Sequence, residues 1–392
     1  MRGIDLRRAP VGKASVEVGS EPELVERIRE EIAAAGPMTF ARFMERALYE
    51  PALGYYRRAT PGPGMSGDFL TAPETHPVFG RLLARQIAEV WQLLGKPPTL
   101  TIREHGAGNG VLAEALLGGL VADAGELLDV VRYEPVEVEE ARLSAMEGRL
   151  RAAGVDHLAA VPSAEPITGV VLANEVLDAL PTHRVRASTA ADGGLEELFV
   201  DWQDGRFVEV AGPPSTPALA GRLADEGVRL RGGQVAEVCL AADPWIDAAA
   251  TSLERGVLLL IDYGHPAAEL YGPRRMAGTI AAYVGHRVHD DPLINVGRQD
   301  LTAHVDLTAV ERAAARAGLA HLGTTTQSKL LVNLGLEDLL REVQADPATT
   351  AERYLALRSG VVRLLDPRAT GSFAVLAFGR GLPPGVGLRG LS

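Results

Sequence analysis

A glycine-rich segment is the part of the sequence that most directly indicates a chemical function. A short apolar run ends at Glu104, glycines follow at Gly106, Gly108 and Gly110, and a helical apolar pattern begins at Val111. Glycines remove the Cβ atoms from a strand-to-helix turn, so the backbone can approach a ligand closely, and the helix directs its free N–H groups at that ligand. A dinucleotide site requires G-x-G-x-x-G, and Val111 stands where the third glycine belongs, so the spacing disfavours a nicotinamide cofactor. A glycine-rich turn of an ordinary α/β protein is the alternative.

Acidic and amide side chains follow two further apolar runs. Glu134 stands 24 residues after Gly110, and Asn174 and Glu175 end another run. Ligands of a doubly wound sheet bind outside the carboxyl ends of its strands, so these side chains are expected near the glycine turn. An acid in the position of Glu134 can accept hydrogen bonds from both ribose hydroxyls of an adenosine. The alternatives are a solvated carboxylate for Glu134 and a helix N-cap for Asn174.

The elements that must position these residues alternate in the α/β manner from residue 100 onward. Apolar runs predict strands over Leu100–Arg103, Val130–Tyr133, Leu158–Val161, Gly169–Ala173, Val257–Ile261 and Ser372–Phe378. Helical periodicity predicts helices over Glu21–Ala35, Met38–Tyr49 and Val78–Leu94. A long insertion follows the fourth strand, and its segment Leu198–Val210 reads as a β-hairpin that turns at Gly205.

The length of 392 residues exceeds the usual limit of a single core, about 250–300 residues, so a second lobe is expected. We divide the chain into a helical N-terminal extension with a lid loop (1–98), the first part of the cofactor domain (99–180), an inserted β region (181–250) and the second part of that domain (251–392), with an arm over about 265–305.

Composition and charge exclude several classes of protein. With 46% hydrophobic and 23% charged residues the chain is ordinary for a globular protein, and the absence of an apolar run of about 18 residues predicts no membrane span. The net charge of −12 disfavours nucleic acid as a partner and suits a cationic substrate. The single cysteine, Cys239, excludes an internal disulfide framework and suits a reducing cytoplasm, where we expect the protein to work.

The Glu-x-Gly-x-Gly-x-Gly spacing resembles that of class I S-adenosylmethionine methyltransferases, and further segments narrow the resemblance to one family. These segments are Phe43–Tyr56, Gly67–Glu74, Ala173–His183, Asp300–Asp306, Thr324–Gln327 and Asn333–Gly335. They are similar to the MidA-like family, which includes the mitochondrial complex I assembly-factor arginine methyltransferases. The resemblance runs from about residue 25 to 380, and its Asp-Phe-x-Thr-Ala-Pro-Glu and Asn-Glu-x-x-Asp-Ala-Leu-Pro segments are its most specific parts.

The resemblance implies a class I α/β fold, with a Rossmann-like sheet of seven strands, a helical N-terminal extension and an inserted, β-containing substrate region. It also implies S-adenosyl-L-methionine as cofactor and an arginine-bearing protein as the methyl acceptor. The cofactor-binding residues that we infer are Glu104, Gly106, Gly108, Gly110, Glu134, Asn174, Asp68 and Thr71.

Glu175, Asp178 and His183 are the catalytic candidates. A guanidinium presents a planar fork to carboxylates, and Glu175 and Asp178, three residues apart, can share one helical face. His183 could accept a proton, and Asp68 with Glu74 could close over the cofactor as a lid. The change Glu175→Gln should then lower turnover with little loss of cofactor affinity.

Several residues allow a functional and a structural interpretation. Tyr55, Tyr56 and Tyr263 could attract a sulfonium by cation–π contact, worth about 0.5–2 kcal/mol, or could pack in an ordinary way. Asp262 could face the mouth of the pocket or cap a turn. His286 and His289 superficially suggest a metal site, but we interpret them as part of a polar loop on the substrate side and expect no metal.

Two other functions remain open at this point. The same fold could methylate an oxygen, nitrogen or carbon of a small molecule, or the protein could be an assembly factor without catalysis. An open acidic cleft would favour a peptide, whereas an enclosed apolar cavity would favour a small molecule. A homodimer is compatible with the sequence, which does not itself predict an oligomeric state.

Overall fold

The computed structural model describes residues 18–58, 71–190 and 194–392, and its N-terminal part is mostly helical. This part contains α1 (Pro22–Ala35), β1 (Met38–Thr39), α2 (Phe40–Tyr49), α3 (Ala72–Thr75) and α4 (Val78–Leu93). The helix predicted from Met38 begins two residues later, because Thr39 is its N-cap. The Thr39 hydroxyl accepts a hydrogen bond from the backbone N–H of Arg42 at 3.1 Å.

The rest of the chain alternates strands and helices before and after the insertion. The first half of the main domain contains β2 (Leu100–His105), α5 (Val111–Asp123), β3 (Val131–Val136), α6 (Glu140–Ala152) and β4 (Ile167–Asn174). The insertion contains β5 (His183–Ala187), β6 (Leu195–Gln203), β7 (Arg206–Gly212), α7 (Ala218–Asp225), β8 (Val235–Val238) and α8 (Ala242–Thr251). The remaining elements are β9 (Leu253–Asp262), β10 (Gly264–His265), α9 (Ala267–Leu270), β11 (Ala281–Val284), β12 (Arg287–His289), β13 (Asp300–Thr302), β14 (Val305–Asp306), α10 (Leu307–Arg316), β15 (Ala320–Thr326), α11 (Gln327–Asn333), α12 (Leu336–Ala345), α13 (Ala351–Leu365) and β16 (Ala374–Arg380).

The central sheet has the strand order β15-β16-β9-β4-β2-β3. β9, β4, β2 and β3 run parallel to one another, and β16 is antiparallel to both β9 and β15. Buried side chains of α4 and α5 pack in the core on one face, and those of α8 and α10 pack in the core on the other. The chain pairs β3 on one side of β2 and then β4 on the other, so a crevice opens between the carboxyl ends of β2 and β4.

The α/β fold class is confirmed, but within the described residues the central sheet has six strands where seven were predicted. Leu158–Val161 is not a strand: Ala159 makes one isolated parallel bridge to Tyr133, and Val161 is 89% exposed, so the segment has no apolar face to bury. The strand predicted over Val130–Tyr133 runs on to Val136.

The insertion forms a second sheet, in which β1-β6-β5-β8 lie in this order and β7 pairs with β6. The predicted hairpin is confirmed, with β6 and β7 joined at Asp204 and Gly205. Met38 of β1 lies opposite Val200, so the N-terminal extension is attached to the inserted sheet. The predicted division of the chain remains our proposal. Among the described residues, none of the helices combines the length and the apolar character that a membrane span requires.

Candidate active site

A cavity of about 760 Å³ lies at the carboxyl ends of β2 and β4, where the topology predicts a ligand site. Its size is in the range of small-molecule and cofactor pockets, about 300–1,000 Å³. The described residues that line it are Tyr49, Tyr56, Thr71, Pro73, Glu74, Glu104, His105, Gly106, Ala107, Gly108, Asn109, Val111, Leu112, Val136, Glu137, Val138, Ala141, Arg142, Ala145, Asn174, Glu175, Val176, Asp178, Ala179, Leu180 and Trp245. The lining includes five carboxylates and one guanidinium, so the site suits a cation.

The glycine loop between β2 and α5 forms the floor of this cavity. Gly106, Gly108 and Gly110 have φ angles of 68°, 55° and 81°, in the left-handed region that glycine adopts without strain. A Cβ atom on Gly110 would lie 2.3 Å from Cγ of Met146, so a larger residue would displace α6 from the loop. α5 begins directly after Gly110, and its first residue lines the cavity, so the free N–H groups of its first turn lie at the cavity wall.

Glu137, just after β3, lines the cavity, whereas Glu134 does not. The predicted role of Glu134 in binding the ribose is therefore corrected. Glu134 Oε2 accepts hydrogen bonds from Arg103 Nε and Nη2 at 2.8 and 2.6 Å in a buried ion pair. Glu137 Oε2 instead accepts the backbone N–H of Gly108 at 2.9 Å. The strand ends at Val136, three residues later than predicted, and alternate residues of a strand face opposite sides, so the two acids point in different directions.

Glu104, at the end of β2, is buried and faces the same cavity. The hydroxyl of Tyr133 donates to its Oε2 at 2.7 Å. Burial, with a smaller contribution from the charge of Glu137, raises the pKa of Glu104 to about 8. The carboxyl of Glu104 is therefore mostly protonated at neutral pH unless a cation occupies the cavity.

A tight turn after β4 carries the two acidic catalytic candidates into the cavity. Glu175 has a φ angle of 54°, which is uncommon for a residue with a Cβ atom and typical of functional sites. Its Oε1 accepts hydrogen bonds from the backbone N–H of Ala72 at 3.2 Å and from Asn174 Nδ2 at 3.1 Å. Burial, followed by the charge of Asp178, raises the pKa of Glu175 to about 8.

Asp178 lies beside Glu175 on the same wall, and its carboxylate is oriented by a tyrosine. The hydroxyl of Tyr263 donates to Asp178 Oδ2 at 2.5 Å. Burial raises the pKa of Asp178 to about 6, although this hydrogen bond favours the charged form. Asp262 is a structural residue rather than a part of the cavity wall. Its Oδ2 accepts the backbone N–H groups of the turn, from Leu177 at 2.9 Å and from Asp178 at 3.3 Å.

The described part of the expected lid also reaches the cavity. Thr71 and Glu74 form a capping box at the start of α3, where Glu74 Oε2 accepts the backbone N–H and the hydroxyl of Thr71, both at 3.1 Å. Both residues line the cavity, and burial raises the pKa of Glu74. Asp68, the other expected lid residue, lies outside the described residues.

Aromatic residues and one arginine complete the wall. Tyr49 and Tyr56 stack with ring centroids 5.5 Å apart, and the guanidinium of Arg142 lies 5.6 Å from the Tyr56 centroid. His105 packs edge-on against Trp245 at 5.3 Å. Sequence reasoning singled out Tyr56 among these residues and missed the other four, since each comes from a different element and no local pattern joins them.

The three histidines that the sequence analysis considered as site residues do not line the cavity. His183, a predicted catalytic residue, does not line the cavity: its Nδ1 lies 2.7 Å from Oε1 of the fully buried Glu197 in the inserted sheet. This prediction is wrong, because the register of β5 directs the side chain to Glu197 rather than to the turn after β4. His286 is at the turn between β11 and β12, and His289 ends β12. The described residues contain no cluster of three or more His, Cys, Asp or Glu side chains that could hold a metal ion.

A mixed sheet with a parallel central part, a glycine loop at its switch point, an acid after the next strand and an acidic cavity is the arrangement of the class I methyltransferase fold. A family model described as "Putative S-adenosyl-L-methionine-dependent methyltransferase" matches residues 82–325, and the chain belongs to this family. It is an S-adenosylmethionine-dependent methyltransferase.

Individual relatives agree with this assignment. The chain is 28% identical over 400 residues to the mitochondrial protein arginine methyltransferase NDUFAF7 homolog of Drosophila melanogaster, covering 93% of this chain and 86% of that protein. It is 29% identical over 387 residues to the human mitochondrial protein arginine methyltransferase NDUFAF7, covering 90% and 83%. A crystal structure from Burkholderia thailandensis with bound S-adenosyl-homocysteine is 34% identical, with a TM-score of 0.84 over 95% of both chains. The resemblance to the MidA-like family and the predicted cofactor are confirmed.

Proposed function

We propose that this methyltransferase transfers a methyl group to an arginine side chain of a protein. The observation that carries the proposal is the charge of the cavity wall, which has five carboxylates and a single guanidinium among its described residues. Arginine is permanently charged and planar, and two carboxylates can bind its fork of N–H groups. The names of the fly and human relatives support the same acceptor for this chain.

The cavity also fits the cofactor. When bound, S-adenosylmethionine supplies an electrophilic methyl group on a positively charged sulfur. The glycine loop would hold its polar backbone atoms, Glu137 would accept the ribose hydroxyls, and Asn174 would accept an N–H group. Among the described residues, buried Oδ1 of Asn174 lacks a hydrogen-bond partner, as expected of an atom that meets a ligand.

Glu175 and Asp178 would bind and orient the acceptor. Both carboxyls are buried in the cavity wall beside each other, and their pKa values are raised to about 8 and about 6. A guanidinium that enters the cavity favours their charged forms. Asp178, with the lower pKa, is the more fully ionised of the two at neutral pH, so it is the carboxylate available to accept the proton that the methylated nitrogen releases.

A small cationic amine is the second candidate for the acceptor. The stacked rings of Tyr49 and Tyr56 form part of the cavity wall, and aromatic faces bind small organic cations. The activity assay below separates the two acceptors. For the location of the protein we propose the cytoplasm, which the single thiol of Cys239 suits; recovery in a membrane or organelle fraction would contradict this.

The test is methyl transfer from isotopically labelled S-adenosylmethionine to arginine-containing peptides, with products identified by mass spectrometry. We expect methylarginine, and no product from peptides that carry lysine in place of arginine. The variant Glu175→Gln should lower the rate about 10²-fold, because it removes one of the two carboxylates that orient the guanidinium for attack on the methyl group, while cofactor affinity stays near that of the wild type.

The matched control is Glu254→Gln. Glu254 is exposed near the N-terminal end of β9, whereas the cavity lies at the carboxyl ends of the parallel strands. It should leave the rate unchanged. Labelling of small amines without labelling of any arginine peptide would contradict the proposed acceptor. Loss of cofactor affinity in Glu175→Gln would move Glu175 to the cofactor-binding residues.

A further inference from the structure

Among the described residues of the active-site wall, five carboxylates accompany a single guanidinium, which belongs to Arg142 of α6. The side chain of Arg142 is only 13% exposed. Burying a charged group is unfavourable unless a partner of opposite charge and hydrogen bonds compensate the loss of water. The N–H groups of Arg142 therefore need acceptor atoms.

The neighbouring carboxylate of Glu137 does not supply these acceptors. Nη1 of Arg142 lies 3.9 Å from Oε1 of Glu137, which is beyond hydrogen-bond distance. Backbone N–H groups satisfy Glu137 instead: Gly108 donates to Oε2 at 2.9 Å, and Val138 and Glu139 donate to Oε1 at 2.9 and 3.1 Å.

Within the described part of the chain, the buried Nη2 of Arg142 has no hydrogen-bond partner. Buried polar atoms in folded proteins are nearly always satisfied. Because Arg142 lines the cavity, a ligand that binds there can supply the acceptor that these residues do not.

Two tyrosine rings hold this guanidinium beside the cavity. Cζ of Arg142 lies 5.6 Å from the ring centroid of Tyr56, within the range of a cation–π contact. Tyr56 stacks on Tyr49, whose hydroxyl donates to the carbonyl of Ala179 at 3.0 Å. The rings therefore connect Arg142 to the turn that carries Asp178, one of the two proposed acceptor-binding acids. A guanidinium held by an aromatic face keeps the N–H groups of its plane available to an anion.

The charge of the wall indicates which ligand group needs this guanidinium. Five carboxylates disfavour any ligand that itself carries a carboxylate, whereas a guanidinium binds a carboxylate through two parallel hydrogen bonds. Two ligands of the proposed reaction can bring such a group. One is the amino-acid part of S-adenosylmethionine, and the other is an acidic side chain close to the arginine of the acceptor.

We propose that Arg142 binds a carboxylate of a ligand in the active-site cavity and sets the preference of the cavity for that ligand. The acceptor as the source of the carboxylate rests on the proposed methylation of arginine, whereas the cofactor as the source does not. In both cases Tyr56 fixes the guanidinium, and Glu137 remains available to the ribose hydroxyls.

The first test is calorimetric titration with S-adenosylmethionine and with decarboxylated S-adenosylmethionine, which differ only in the carboxylate. If the cofactor supplies the carboxylate, the wild type binds S-adenosylmethionine more tightly, and Arg142→Gln reduces this preference about 30-fold through loss of a charge-assisted pair. A general loss of structure would weaken the binding of both compounds alike and would not change the preference. Arg142→Lys keeps the charge and should restore part of it.

The matched control is Arg151→Gln on the same helix. Arg151 also lies 3.9 Å from a carboxylate oxygen, but its side chain is 71% exposed and it does not line the cavity. The preference of this variant should be that of the wild type. Urea unfolding shows whether each variant is folded.

The second test uses the protein saturated with S-adenosyl-homocysteine, so it needs no turnover. Calorimetry compares peptides that carry a glutamate within three residues of an arginine with counterparts that carry glutamine at the same position. If the acceptor supplies the carboxylate, the wild type binds a glutamate peptide more tightly than its counterpart. Arg142→Gln should lose this preference and keep the wild-type preference between the two cofactor forms.

The outcomes separate this proposal from the proposed function. Loss of either preference in Arg142→Gln supports the role of Arg142 and identifies the source of the carboxylate. Absence of both preferences in the wild type, or their persistence in Arg142→Gln, would overturn that role. A protein that binds no arginine peptide, but whose cofactor preference depends on Arg142, would contradict the proposed acceptor alone. If it binds no arginine peptide and its cofactor preference is unchanged in Arg142→Gln, both proposals are wrong.

Discussion

Exchange of Glu137 for glutamine should weaken cofactor binding, whereas the same exchange at Glu134 should weaken the fold. Glu137 is 4% exposed at its side chain and faces the cavity, so the loss of one charge-assisted hydrogen bond to a ribose hydroxyl should cost about 2 kcal/mol. By the factor of ten for each 1.4 kcal/mol, this weakens the affinity for S-adenosylmethionine about 30-fold. Glutamine keeps one acceptor oxygen for Gly108, but its amide nitrogen cannot accept the backbone N–H groups of Val138 and Glu139 that now donate to Oε1. Urea unfolding of Glu137→Gln therefore has to accompany the affinity measurement.

Glu134→Gln removes the charge that compensates Arg103, whose side chain is 6% exposed. Breaking a buried ion pair costs about 3–5 kcal/mol, and the lower value is expected because Arg103 keeps hydrogen bonds to the carbonyls of Ser163 and Glu165 at 2.8 and 3.3 Å. Calorimetric titration measures the affinity of each variant, and urea unfolding measures its stability. Wild-type affinity in Glu137→Gln together with a large loss in folded Glu134→Gln would refute the placement of the two acids.

Two further predictions concern pH and His183. The values of kcat/KM should rise between about pH 6 and pH 8, because Asp178 and then Glu175 lose their protons over this interval and only the charged forms bind a guanidinium; a rate that falls across this interval would contradict the proposed roles. His183→Ala should lower the free energy of unfolding by about 1–3 kcal/mol, since Glu197 loses a buried partner. Its cofactor affinity and kcat should be those of the wild type, as measured by calorimetry and the peptide assay, and a large loss of kcat in the folded variant would restore a catalytic role.

Sequence reasoning correctly placed those residues of the cavity whose positions follow from a local sequence pattern. The three glycines, Glu104, Asn174 and Glu175 follow directly from apolar runs, and all of them except Gly110 line the cavity; Gly110 instead packs against α6. These residues lie within or just after single strands, so the strand ends alone fix their position.

Sequence reasoning failed where the position of a residue depends on the length of its strand or on the strand with which that strand pairs. Pro135 indicated the end of a strand, but β3 is the edge strand of the sheet, where proline is tolerated, and the strand continues. Because the strand ends three residues later than predicted, the acid that lines the cavity is Glu137 and not Glu134. His183 follows the family motif closely, yet pairing of β5 with β6 places it against Glu197, a contact that no local pattern contains.

The most direct test of the account is a crystal structure with S-adenosyl-homocysteine and an arginine peptide. We predict that the ribose hydroxyls contact Glu137, that the glycine loop lies against the cofactor, and that the arginine side chain enters beside Glu175 and Asp178. Binding of the cofactor in another cavity, or an arginine that contacts neither carboxylate, would contradict the central claim that this acidic cavity joins cofactor and acceptor.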